Sequence, residues 1–261
     1  MQGELLFLGS GGSTGIPMVA CSCSVCRSTD PRNQRLRPSV LLKIDGKTIL
    51  IDVGPDFRTQ ALRYQISHLD GVILTHSHFD HVAGLDELRV YYLKHRKNLP
   101  LLASKATMQD LQRRYDYLFH KKSPQVSLTA QLDYQQLDGL RGQAKFCGIS
   151  LSYFTYEQGG MQVNGYRFGD FAYVSDIRNY PETIFEDLQG VKTLVISALR
   201  PDPSLMHLTF DEAAAIAARL QVERCYLTHL SHEVEHERAS ALLPEGVELS
   251  YDGLILEDLH C

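Results

Sequence analysis

The chain has 261 residues, 44% of them hydrophobic and 22% charged, proportions that exclude a disordered chain and allow a sizeable core. With 26 Lys plus Arg against 31 Asp plus Glu, the net charge of -5 excludes the basic footprint of a dedicated nucleic-acid binder. No apolar run approaches the roughly 20 residues of a membrane span, and Met1 to Ser10 lacks the basic-then-apolar order of a signal peptide, so a cytoplasmic protein with no membrane partner is expected.

In chain order, the first third reads as β: Glu4 to Gly9, Ser39 to Ile44 and Thr48 to Val53, the last two joined by an Asp45-Gly46 hairpin turn. Between them, Gly9 to Gly15 has the glycines of a phosphate-cradling loop but no Gly-Lys-Ser/Thr ending, and reads better as a flexible turn leaving the strand. A buried strand, Gly71 to Leu74, follows. From Gly84 to Leu118 the periodicity is helical, with amphipathic stretches at Leu85 to Leu93 and Met108 to Leu118 around a short apolar run. Strands are then expected at Ser150 to Phe154, Gly165 to Phe168, Phe171 to Ser175, Thr193 to Ser197 and Arg224 to Thr228. A helix runs from Asp211 to Leu220, with Thr209 and Glu212 placed for a capping box, and a last strand spans Val247 to Leu256. No linker or repeat divides these elements, so one domain is expected.

The chemistry-bearing residues are clustered. Three of six cysteines fall within six positions, Cys21, Cys23 and Cys26. In a reducing compartment that spacing suits a metal better than disulfides, although a redox pair or incidental thiols have the same spelling, and a metal needs a fourth ligand. The 11 histidines concentrate in Thr75-His76-Ser77-His78-Phe79-Asp80-His81, directly after the Gly71 to Leu74 strand, and in His229, His232 and His236. His76 and His78 point the same way along an extended segment and can grip one cation, while Asp80 and His81 at the following turn can face a second.

His76-x-His78-x-Asp80-His81 after a strand, with Ile51-Asp52-Val53-Gly54 upstream, Ser175-Asp176 after a later strand and Leu227-Thr228-His229 near the end, resembles the metallo-β-lactamase superfamily. The resemblance covers nearly the whole chain. It implies an α/β fold, a four-layer αββα sandwich with two divalent metals, zinc or manganese, at one edge of the paired sheets. His76 and His78 would hold one metal, Asp80, His81 and His229 the other, Asp176 would bridge them, and Asp52 would orient a histidine ligand from behind. The Cys21-x-Cys23-x-x-Cys26 cluster with Thr228-His229-Leu230-Ser231-His232 is similar to the phosphoribosyl cyclic phosphate phosphodiesterase branch. In that branch three cysteines and the second histidine hold a structural zinc, here Cys21, Cys23, Cys26 and His232, stapling the loop at 17–30. A helical lid over about 84–120 is expected, with the Arg113 to Phe119 stretch either roofing the site or packing in the core.

One expected ligand is missing. The superfamily takes a third histidine for the first metal from the loop before the Gly165-Tyr166 strand, but no histidine lies between positions 121 and 206. The matching position falls on Gln158, with Glu157 beside it. Either is a replacement ligand that favours a harder metal, or neither reaches the metal. His207 matches a phosphate-contacting histidine of the branch and is the candidate to assist the leaving oxygen, with Asp80 orienting the nucleophile; a loop histidine has the same appearance. Arg200 is a candidate phosphate contact. His68, His95, His120, His236 and His260 join no motif and are assigned to surface or packing.

The resemblance implies metal-dependent hydrolysis of a small cyclic phosphate or nucleotide-like phosphodiester by metal-activated water. The alternatives are a tRNA 3′-processing nuclease, disfavoured by the acidic charge and the lack of an evident basic arm, an ester or lactone hydrolase, or a degenerate metal-binding protein. A homodimer is expected by resemblance alone.

Overall fold

A computed structural model describes residues 2–119 and 129–261. The first sheet is built from β1 (Gln2–Gly9), β2 (Ser39–Ile44), β3 (Lys47–Ile51), β4 (Gly71–Ile73), β5 (Leu99–Ala103) and β6 (Leu132–Gln136). The second contains β7 (Arg141–Phe146), β8 (Ile149–Gln158), β9 (Met161–Phe168), β10 (Phe171–Val174), β11 (Thr193–Ser197), β12 (Arg224–Thr228) and β13 (Val247–Leu249). β14 (Ile255–His260) returns to the first sheet and pairs with β1, so that each sheet has seven strands.

The central strands are apolar on both faces, which dictates layers on both sides of each sheet. Ile49, Ile51 and Ile73 of the first sheet meet Tyr166, Tyr173 and Val195 of the second in the core between the sheets. Alternate residues point outward. Leu50, Val72 and Leu101 pack with Phe57 of α1 (Phe57–Arg63), Tyr91 of α3 (Arg89–His95) and Leu111 of α4 (Lys105–Arg114). α2 (Phe79–Val82) lies between α1 and α3 in the chain, and α5 (Asp116–Phe119) follows α4. On the far side, Val174, Leu194 and Ile196 pack with Ile184 of α6 (Ile184–Asp187) and with Phe210 and Ile216 of α7 (Phe210–Leu220). A short α8 (His236–Ser240) completes this outer layer. The result is the expected αββα order. Among the described residues, no helix is long and apolar enough to cross a membrane.

In both sheets the strands nearest the site run parallel: β3 to β6 in one, β10 to β13 in the other. Parallel strands deliver their carboxyl ends, with the loops that follow, to one edge, where α/β folds collect functional side chains.

Several elements differ from the sequence reading. The apolar run inside the expected helical stretch is β5, hydrogen-bonded between β4 and β6. A five-residue run buried on both faces has no helical or strand period of its own, and its neighbours decide its state. The expected strand from Val247 to Leu256 is split into β13 and β14, which lie in different sheets. Tyr251-Asp252-Gly253 forms the crossing, with Gly253 at φ 97° and the Asp252 carboxylate accepting from the backbone N–H groups of Ser10 and Leu36. The sequence reading also lacked α1 and the strands β6 and β7. The Asp45-Gly46 hairpin is present, both residues at positive φ.

The capping box of α7 is complete: Thr209 Oγ1 accepts from Glu212 N, and the Glu212 carboxylate accepts from Thr209 N. Thr209→Ala removes one half and is expected to cost about 1 kcal/mol, read as a lowered urea midpoint with an unchanged slope.

Candidate metal centre

β3 ends at Ile51, and the next residue, Asp52, takes a left-handed backbone at φ 63°. That turn aims its carboxylate across the end of β4, where it accepts from Thr75 N and Thr75 Oγ1, both at 2.8 Å, and lies 2.7 Å from His81 Nδ1. Thr75 Oγ1 in turn lies 2.9 Å from His76 Nδ1. Asp52 therefore orients His81 directly and His76 through a threonine. The histidine segment is extended as far as His78 and then coils into α2, which carries Asp80 and His81. Gly54 accommodates this helix: a Cβ there would lie 2.1 Å from the Asp80 carbonyl oxygen.

Asp176 follows β10 and His229 follows β12, again in left-handed backbone at φ 50° and 63°. Such a conformation costs about 1 kcal/mol or more for a residue with a Cβ, and here it turns side chains from strand ends into a common buried space. Asp176 Oδ1 lies 3.4 Å from His81 Nε2 and 3.3 Å from His229 Nε2, while its Oδ2 lies 3.8 Å from His76 Nε2. Asp80 Oδ2 is 3.4 Å from the same nitrogens of His81 and His229. His76 Nε2 and His78 Nδ1 are 2.8 Å apart.

These atoms form two groups, Asp80–His81–Asp176–His229 and His76–His78–Asp176, in each of which the ligand atoms lie within 4.8 Å of one another. The one residue common to both is Asp176. Every member is buried except His78, which is half-buried.

The electrostatics fit a cation. Burial works against charge on His81, yet Asp176, Asp80 and Asp52 outweigh it and hold its pKa well above the ordinary value. Burial alone would raise the carboxyls of Asp80 and Asp176, but the surrounding histidines push both below the carboxylate range. His76, with less carboxylate support, is driven well below the ordinary value by burial and then by His81. His81 Nε2 is buried without a hydrogen-bond partner among the described residues. Two buried carboxylates facing the imidazole nitrogens of His81 and His229 make a donor set that fits divalent zinc or manganese.

The cysteines form a separate group. Cys21, Cys23, Cys26 and His232 bring their ligand atoms within 4.8 Å, with His232 Nδ1 at 3.4 Å from the Cys21 sulfur and 3.5 Å from that of Cys23. The His232 contact, and then the Cys26 backbone N–H, lower the Cys23 thiol to about 6. Burial pushes Cys26 up to about 11, so its ionisation calls for a cation. Three sulfurs and an imidazole suit tetrahedral zinc. The staple sits close behind the other groups. Gly12 N donates to Leu230 O, Leu230 N donates to Ser10 O, and a Cβ on Gly12 would come within 3.3 Å of the His229 ring. The glycine-rich segment is thus pinned against a ligand-bearing loop, where the sequence suggested a flexible turn.

Of the two replacement candidates, Glu157 is exposed and joins neither group. Gln158, the next residue and hence on the opposite face, is buried, with its amide nitrogen 3.3 Å from His207 Nε2. His207 is also buried, its ring 4.6 Å from that of His229 and stacked on it. Burial, then His229, lowers His207 to about 4. Arg200 is paired with Glu233 and does not offer a free charge. Tyr115, Tyr117 and Phe119 pack against the outer core, Phe119 stacking on Tyr134 at 4.6 Å. His236 is buried against Arg35, and His68 and His95 pair edge-on. His120 and the end of the expected lid lie outside the described residues.

One participant had no signal in the sequence. Arg114, on α4, donates to the Ser77 carbonyl oxygen at 2.7 Å and pairs with Asp110, whose carboxylate accepts from Ser77 Oγ at 2.6 Å. Ser77, between His76 and His78, is thereby clamped by residues more than 30 positions away.

Residues 47–230 match the family model for the beta-lactamase superfamily domain. The chain belongs to the beta-lactamase superfamily. A solved structure described as a new diphosphatase from the PhnP family has 37% identity and a TM-score of 0.90, over 98% of this chain and 97% of that one. Zinc-bound PqqB from Methylobacterium extorquens shares the fold at 20% identity and a TM-score of 0.76, over 98% of this chain and all of that one. An octanoyltransferase from Porphyromonas gingivalis is 34% identical over 95% of this chain, which spans half of that protein's length. The superfamily fold implies divalent metal binding, in accord with the donor groups above.

If Asp52 orients His81, then Asp52→Asn leaves a ligand in place but unaligned. Zinc affinity at this centre is expected to fall on the order of 10- to 100-fold, measured by competition with a chromogenic chelator, with the thiol site as internal reference.

Proposed function

We propose that the chain is a metal-dependent hydrolase acting on a small cyclic phosphate or nucleotide-like phosphodiester. The observation that carries this reading is the Asp176 carboxylate, one oxygen facing His81 and His229 and the other facing His76. A carboxylate shared in this way holds two donor groups side by side, the spacing that in-line phosphoryl displacement uses. Two divalent ions at such a centre, zinc or manganese, supply an acidified water and neutralise charge on the phosphoryl oxygens. The likeness to a PhnP-family diphosphatase supports the phosphorus chemistry.

The chain's own residues complete the site. Asp80, buried and anionic between His81 and His229, is placed to accept a hydrogen bond from the attacking water and hold its lone pair toward phosphorus. His207, held over His229, faces the same space. Because its imidazole is neutral near pH 7, its role is a fixed hydrogen-bond donor to the phosphoryl or leaving oxygen. Arg178 bonds the His207 carbonyl oxygen and Glu212, fixing the loop that presents the ring. The aligned Cys₃His group is read as a structural zinc site that ties the N-terminal loop to the His229 loop.

The test is turnover of bis(p-nitrophenyl) phosphate and of cyclic ribose phosphates, compared with lactones, octanoyl thioesters and a tRNA precursor. Phosphodiester hydrolysis is expected, with loss of activity in Asp80→Asn. His207→Ala is expected to lower kcat about 100-fold on the cyclic phosphates, whose alkoxide leaves poorly, and less on the nitrophenyl ester. Turnover of lactones or thioesters alone would overturn the reading.

A further inference from the structure

Gln158 ends β8 where the third histidine of the first group is expected, and its surroundings give it two distinct tasks. The β8–β9 turn that it opens lies against the histidine segment. Gln158 pairs with Met161, the Met161 sulfur lies 3.8 Å from Ser77 Oγ, and Asn164 N donates to the Thr75 carbonyl oxygen at 2.9 Å. Ser77 is the residue between His76 and His78. On its other side the turn meets the His207 segment: a Cβ on Gly159 would lie 2.4 Å from the Met206 methyl carbon. Gln158 is thus buried at the start of a turn packed between the histidine segment and the His207 segment.

Its amide has two unlike ends. The nitrogen lies 3.3 Å from His207 Nε2, while the oxygen is buried with no hydrogen-bond partner among the described residues. An amide nitrogen can only donate, so His207 Nε2 must be the acceptor, and a neutral ring then carries its proton on Nδ1. His207 Nδ1 is also buried and without a partner among the described residues, which leaves that N–H for a substrate oxygen. A buried carbonyl oxygen left unpaired is unfavourable, and at the start of a turn packed on the segment that carries His76 and His78 a cation is a partner that would satisfy it.

We propose that Gln158 couples the first metal group to His207, its amide oxygen completing the His76–His78–Asp176 donor set and its amide nitrogen fixing His207 as the Nδ1–H tautomer. This rests on the reading of that group as a metal site. A histidine at this position would complete the donor set but leave His207 without that amide donor. Gln158 is in this respect a positioning residue for His207 as well as a ligand.

The two tasks separate in Gln158→Glu, which keeps a ligand oxygen but replaces the donor with an acceptor, and in Gln158→Leu, which removes both. The readout is the ring-proton position of His207 from long-range ¹⁵N–¹H spectra of zinc-loaded, substrate-free protein, with metal occupancy from native mass spectrometry. The wild type is expected to show Nδ1–H. Gln158→Glu is expected to move the proton to Nε2 while retaining both ions of the centre, and Gln158→Leu to lose the first ion selectively. An Nε2–H tautomer in the wild type, or a Gln158→Glu spectrum like the wild type's, overturns the positioning role. Equal retention of both ions by Gln158→Leu overturns the ligand role. None of these readouts uses turnover, so failure of the phosphodiesterase reading would show separately, as absent hydrolysis with the tautomer unchanged.

Discussion

The site depends on one carboxylate. Asp176 is buried at the end of a strand whose outward residues are all apolar, and its two oxygens divide between nitrogens of different histidine groups. With Asp80 also buried nearby, the centre contains two anions that burial disfavours and that neighbouring histidines hold ionised. An arrangement of this kind is expensive as protein alone, because several imidazole and carboxylate groups give up water without full hydrogen bonding, and it is relieved by cations. The rest of the chain can be understood as the scaffold that keeps these groups from separating.

The scaffold works by matching two sheets. Parallel strands in each bring their carboxyl ends to a shared edge, and a residue within two positions of the end of three of them, Asp52, Asp176 and His229, adopts left-handed backbone. Aspartate and histidine tolerate that conformation better than bulky residues, and the surrounding layers over-determine it. The His229 loop is braced again from outside by buried Arg35, which bonds Ser10 Oγ and the Ser250 carbonyl oxygen while Ser10 bonds Asp252. Burial raises Asp252 to about 6, opposed first by the Leu36 backbone N–H, then by Ser10 and last by the Arg35 charge. N-terminal loop, C-terminal crossing and ligand loop are thus one connected unit, with the Cys₃His cluster on its outer end.

Much of this was legible in the sequence because the candidate metal ligands at a strand end fall within a few residues. His76, His78, Asp80 and His81 needed no long-range information, and Cys21, Cys23 and Cys26 needed only a partner. The doubly apolar strands β11 and β12 and the cap of α7 were legible for a similar reason: their signals are local. What failed was non-local. β5 is a strand because β4 and β6 flank it, and residues 247–256 break because Asp252 is needed by Ser10 and Leu36. Glu157 and Gln158 were indistinguishable until the fold exposed one and buried the other. Arg114, which clamps Ser77 from another helix, has no spacing that announces it.

The central claim is that Asp176 holds two cations together while the cysteines hold a third independently. Native mass spectrometry of wild type and Asp176→Asn, saturated with zinc and then desalted, tests it most directly. The account predicts three ions in the wild type, one for each donor group, and retention of the thiol-bound ion alone in the variant. A wild type that holds only one ion, or an Asp176→Asn variant that still holds three, would contradict it.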